Sequence, residues 1–132
     1  MNGFIDKTLK PVLIIGGAGT ALAGIDAFAP RFAVENVQSL EFIPEYTIFV
    51  QHWGIMVCLM GVFMIGAAFK RSWRTPILLY SLIEKAFMVF LVFSNLGHSF
   101  AQGFLAPAIM DSVIVLWSLA YFATRRGEVQ PA

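Results

Sequence analysis

Four long stretches of this chain carry almost no charge, and that pattern restricts the fold more than any motif does. The first runs from Pro11 to Ile25, and the second from Tyr46 to Phe69, with Gln51 and His52 its only strongly polar groups. The third, from Thr75 to about Leu96, encloses Glu84-Lys85, and the fourth, from about Gly103 to Thr124, encloses Asp111. One helical crossing of a bilayer takes about 20 apolar residues. Lipid offers the backbone no hydrogen-bond partner, so a spanning segment is a helix or a strand of a closed barrel. Each stretch is longer than a barrel strand and lacks polar/apolar alternation. The expected fold is therefore an all-α integral membrane four-helix bundle. It forms a single transmembrane domain over 1–132, with spans at about 11–28, 47–69, 76–97 and 104–124 and an outer loop at about 29–46.

Composition narrows the function classes. Charged residues make up 13% of the chain, with a net charge of +1, whereas a soluble domain carries about 25%. No nucleic-acid partner, disordered tail or secreted disulfide scaffold fits those values. The one cysteine, Cys58, excludes an intrachain disulfide and the dithiol chemistry that passes electrons from a cysteine pair. Within its apolar run Cys58 reads as a small hydrophobe.

The first stretch has a basic start and an Ala27-Phe28-Ala29 pattern like a signal-peptide cleavage site. Pro30 would follow the cut and obstruct it, so an uncleaved first span is expected. Lysine and arginine set the orientation. Lys7, Lys10, Lys70, Arg71, Arg74, Arg125 and Arg126 fall on one side and Arg31 alone on the other, seven against one. Both termini are expected to be cytoplasmic. The outer loop interleaves Phe32, Val34, Val37, Leu40 and Phe42 with polar residues, which suits either a short interfacial helix or a solvated loop with an apolar anchor. The tail after Arg126 reads as a frayed end.

Helices already in lipid associate through close backbone approach. Gly16, Thr20 and Gly24 share one face of the first span, with Gly17 and Ala21 beside them. On the second, Gly54, Cys58 and Gly61 form a small-residue stripe, and His52 lies about 200° around from Gly54. Either the histidine or the stripe faces the core. The former would leave the stripe free for a second copy of the chain or a larger membrane complex.

Ionisable residues inside a span cost about 2.5–3.5 kcal/mol each and need partners. On the third span Glu84, Met88, Leu91, Asn95 and His98 share a face. Ala108, Asp111, Val115 and Ser118 do so on the fourth, and Gly19, Ala23 and Asp26 on the first. From the 1.5 Å rise per residue, Glu84 and Lys85 lie ~12–14 Å and Asp111 ~20 Å from the cytoplasmic ends of their helices. A lysine stem can bridge Lys85 to Asp111, which makes Glu84, Lys85 and Asp111 a candidate polar core. Asp26, His52 and Asn95, at ~22–28 Å, fall in one layer near the outer surface. With His98 they form a candidate outer polar cluster. His52 and His98 lack metal- or haem-ligand spacing, so no metal or other cofactor is expected.

The Ala23–Pro30 run Ala-Gly-Ile-Asp-Ala-Phe-Ala-Pro, a glycine-rich second span with Gly54 and Gly61, and Asp111-Ser-Val-Ile-Val-Leu-Trp-Ser-Leu-Ala-Tyr121 together resemble the DoxX-like group of small four-span bacterial membrane proteins. The resemblance implies a multi-pass protein of the bacterial cytoplasmic membrane. Some members of that group accompany quinone-linked oxidoreductases. His52-Trp53-Gly54 and Glu84-Lys85 fall outside the group's pattern, so the resemblance bears on fold rather than chemistry. The expected role is a non-enzymatic bundle in the lipid bilayer, forming a homo-oligomer or a subunit of a larger complex and offering a lipid- or quinone-sized pocket. The alternative is a small proton-coupled transporter, or a membrane enzyme for a lipophilic substrate using Glu84 with His52 or His98.

Overall fold

The computed structural model describes residues 2–126, so the tail after Arg126 lies outside the described residues. Among the described residues four helices are long and apolar enough to cross a membrane: Gly3–Phe28, Pro44–Phe69, Arg71–Ser94 and Leu105–Arg125. The first span is built from α1 (Asn2–Ala21) and α2 (Gly24–Phe28). A short helical turn, α3 (Pro30–Phe32), and a π-helical turn, Ala33–Val37, follow. The remaining spans are α4 (Thr47–Phe69), α5 (Arg71–Ser94) and α7 (Leu105–Arg126), with the single turn α6 (Ser99–Gln102) between the last two.

Two boundaries differ from the sequence reading. Pro11 and Pro76 lie inside α1 and α5 rather than at their starts. Both helices extend upstream into charged residues, because a charge-free window marks the lipid-buried length of a helix and not its ends. At its other end α5 stops at Ser94, short of 97, where Asn95 leaves helical geometry.

Contacts between spans fix the topology. A Cβ at Gly17 would lie 2.7 Å from Gly61 O, and one at Gly16 2.8 Å from Ile114. Ser81 meets Met64, Lys85 meets Asp111 and Thr75 meets Tyr121. Along each pair of helices one number rises as the other falls, so every neighbour is antiparallel and the bundle runs up-down-up-down. The first span packs on α4, α4 on α5, α5 on α7, and α7 back on the first.

The Gly54, Cys58 and Gly61 stripe therefore faces the first span, and His52 is exposed on the outside of α4. That resolves the alternative left by the sequence: the small residues are used within the chain and do not form a free surface for another copy. Large apolar side chains such as Ile15, Phe49, Ile83, Phe87, Phe90 and Leu116 project outward. Asp26, Gln38, Arg74, Ser81, Lys85 and Asp111 are buried. A bilayer protein shows this arrangement, because its solvent is hydrocarbon.

The interior has two halves. Next to the basic turn at Lys70, Leu9, Leu13, Met60, Met64, Ala67, Leu78, Ile114 and Tyr121 pack into a continuous apolar core. Arg74, grouped by the sequence with a charged surface cluster, is buried at this end. Its guanidinium donates to Ala67 O at 3.1 Å and Ala68 O at 3.2 Å. These are among the last carbonyls of α4, which have no partner within their own helix. The opposite half is not filled.

Candidate functional site

A cavity of about 260 Å³ occupies that opposite half, bordered by all four spans. Its walls are mostly apolar, including Val57, Met88, Phe104 and Met110, with Trp53 beside them. Five of its lining residues carry strongly polar side chains: Asp26, Gln38, Glu84, Lys85 and Asp111.

Lys85 is the deepest of these, at 2% exposure. It lies on the stripe Leu78, Ser81, Lys85 and Val92, whose steps of three, four and seven residues keep to one inward face of α5. Its ammonium donates to Asp111 Oδ1 at 2.7 Å. Asp111 belongs to the inward face of α7 with Ala108, Ile114, Ser118 and Tyr121. Glu84, one residue from Lys85 and so about 100° around the helix, is only partly buried. Its Oε2 lies 3.9 Å from Lys85 Nζ. That oxygen is itself buried and accepts no hydrogen bond among the described residues. The structure thus brings Glu84, Lys85 and Asp111 together around one ammonium.

The candidate outer cluster is not brought together. Asp26, His52, Asn95 and His98 share a depth but not a direction. Asp26 is buried, whereas His52 lines a shallow outward groove with Phe28 and Ile48. Asn95 lies beyond the end of α5 and donates to Leu91 O, and His98 is exposed and stacks on Phe100 at 5.0 Å. Neither histidine lines the cavity that holds Glu84, so the acid–base pairing of Glu84 with His52 or His98 is not formed. Among the described residues no group of three or more His, Cys, Asp or Glu side chains is placed to hold a metal ion.

Asp26 is instead aimed inward by a break in the first span. The chain tightens after α1, with Ala23 N–H bonding Thr20 O and Asp26 N–H bonding Ala23 O, before α2 resumes. Gly54 makes room for the redirected turn, since a Cβ there would lie 2.7 Å from Asp26 Cβ and 2.6 Å from Ala27 N. Gln38 Nε2 donates to Asp26 Oδ1 at 2.6 Å.

Gln38 belongs to the loop between the first two spans, which folds over the end of the bundle. Ala33, Val34 and Gln38 are buried beneath it. Ser39 then adopts φ 56°, left-handed and uncommon for a residue with a Cβ, and redirects the chain outward. The loop is seated on Gly103: any Cβ at that position would overlap the Gln38 backbone. Gln38, Trp53 and Gly103 were not singled out from the sequence. A glutamine in a polar loop, an aromatic in an apolar helix and a loop glycine carry no periodic signal to mark them.

The cavity also continues sideways. A shallower depression shares Asp26, Gln38, Trp53, Met88 and Phe104 with it and adds Phe49 and Val50. Phe49 is exposed on the outer surface of α4, so this opening leads between α4 and α5 to the surface of the bundle. The joins between those helices at Ser81–Met64, Arg74–Ala67 and Phe63–Trp73 lie in the other half.

Comparison of the chain with protein-family models, with curated proteins and with solved structures finds no match.

Proposed function

We propose that this is a DoxX-like, non-enzymatic membrane protein of the bacterial cytoplasmic membrane that binds a lipid- or quinone-sized amphiphile inside its bundle. The observation that carries the reading is the cavity, with apolar walls, polar groups at its depth and an opening toward lipid between α4 and α5. Ligand sites combine mainly apolar linings with a few placed polar groups. An apolar body would enter past Phe49 and Trp53, and its polar end would meet Glu84, Lys85 or Asp26. The absence of a histidine beside Glu84 weighs against the enzyme reading. Both termini are assigned to the cytoplasm, in line with the seven basic residues at the Lys70 end. The test is gentle extraction of the full chain followed by mass spectrometry of the retained small molecules. A stoichiometric lipid or quinone, lost when Trp53→Ala and Met88→Ala widen the mouth, is the expected result. A chain that carries no amphiphile under any mild extraction overturns the proposal.

A further inference from the structure

The cavity holds more acidic groups than basic ones. Three carboxylates, Asp26, Glu84 and Asp111, line it against one ammonium, Lys85. Asp111 holds Lys85 at 2.7 Å, and those two charges cancel. Asp26 is bonded by the neutral amide of Gln38, not by a cation. Glu84 is 3.9 Å from the same ammonium, with Oε2 buried and without a donor. A buried acceptor without a partner is costly, and a buried charge more so. Trp53 lines the same space, and an indole face attracts cations. Among the described residues no three acidic side chains are placed to hold a metal ion, and a single N–H donor is enough to satisfy Glu84 Oε2.

We infer that the occupant is a lipophilic primary or secondary amine in its ammonium form, with its N–H groups donated to Glu84 Oε2 and its positive charge set between Glu84 and Asp26. This rests on the amphiphile-binding reading and names its head group. Lys85 is held by Asp111 at 2.7 Å and stays 3.9 Å from Glu84 Oε2, beyond hydrogen-bond distance. The tail extends through the opening between α4 and α5.

The test uses the full-length protein in phosphatidylcholine nanodiscs, with empty discs as the baseline. The probes are dodecylammonium, dodecyltrimethylammonium and dodecanol. Saturable binding of dodecylammonium, about ten-fold or more tighter than dodecanol, is expected from a hydrogen bond to a charged acceptor. Glu84→Gln removes that preference. Dodecyltrimethylammonium, which has the charge but no N–H, binds more weakly than the primary amine. Asp26→Asn, which keeps the Gln38 contact surface, lowers ammonium affinity and serves as the second variant if Glu84→Gln does not fold. Dodecanol binding as tightly as dodecylammonium, with both variants unchanged, overturns the head-group assignment and leaves amphiphile binding standing. No saturable binding of any probe overturns both.

Discussion

Gln38, in the outer loop, donates to the Asp26 carboxylate at 2.6 Å, and this bond ties the loop to the first span across the mouth of the cavity. The same residue's backbone rests on Gly103. Two anchors, one on the first span and one in the turn before α7, thus hold one loop. Gly103→Ala forces that backbone away and breaks the Asp26 bond with it. Limited proteolysis at Arg31, within the loop, should then be clearly faster than in the parent protein, while the bundle itself stays intact. Equal cleavage rates would show that Gly103 does not seat the loop.

The Lys85–Asp111 pair predicts a non-additive cycle. Asp111→Ala alone leaves a buried ammonium without its partner, a loss of about 3–5 kcal/mol in buried pairs, with smaller values expected in lipid. Adding Lys85→Ala should restore much of the stability. Unfolding in mild detergent, followed by helical signal, measures all four corners. Additive losses would mean the two side chains contribute independently.

Arg74 gives a prediction at the other end. Its guanidinium serves two carbonyls at the end of α4, and hydrogen bonds from charged donors contribute about 1.5–3 kcal/mol. Arg74→Met should therefore lower the unfolding midpoint markedly, and Arg74→Lys should recover only part of it, since one ammonium cannot reproduce the fork. Arg71→Met, at an exposed neighbouring position, is the control and should leave stability nearly unchanged.

Orientation is checked by cysteine labelling in a Cys58→Ser background. An impermeant reagent added to intact cells should modify Glu41→Cys and spare Ser72→Cys, both at exposed positions. Labelling of Ser72→Cys alone would invert the assignment of both termini.

The spans were legible because hydrocarbon solvation imposes a length and polarity that no local detail overrides. Depth was legible too: the rise per residue was enough to bring Lys85 and Asp111 within reach of each other. Direction around each helix was not. The face read through Glu84, Leu91 and His98 is rotated from the one that packs, Leu78, Ser81, Lys85 and Val92, because lipid-facing and core-facing positions are both apolar and hydrophobic period loses its contrast. For the same reason Asp26, His52 and Asn95 could share a depth and still point apart. Arg74 was hidden among surface charges, since a run of basic residues does not reveal which one turns back to cap a helix. Gln38 reaches the cavity only through the loop's tertiary path, which local sequence does not encode.

The pairing of Lys85 with Asp111 also bears on how the protein is made. The two lie 26 residues apart, on consecutive spans. Released alone into the bilayer, the third span would carry Lys85 with only Glu84 nearby, at 3.9 Å, and the fourth an uncompensated aspartate at a penalty of about 2.5–3.5 kcal/mol. Entering together as a helical hairpin, each neutralises the other before either meets lipid. At about 5–20 residues per second the ribosome takes a few seconds to bring the aspartate out after the lysine. Pairing therefore favours holding the third span back until its partner arrives, so that the two leave as one biosynthetic unit.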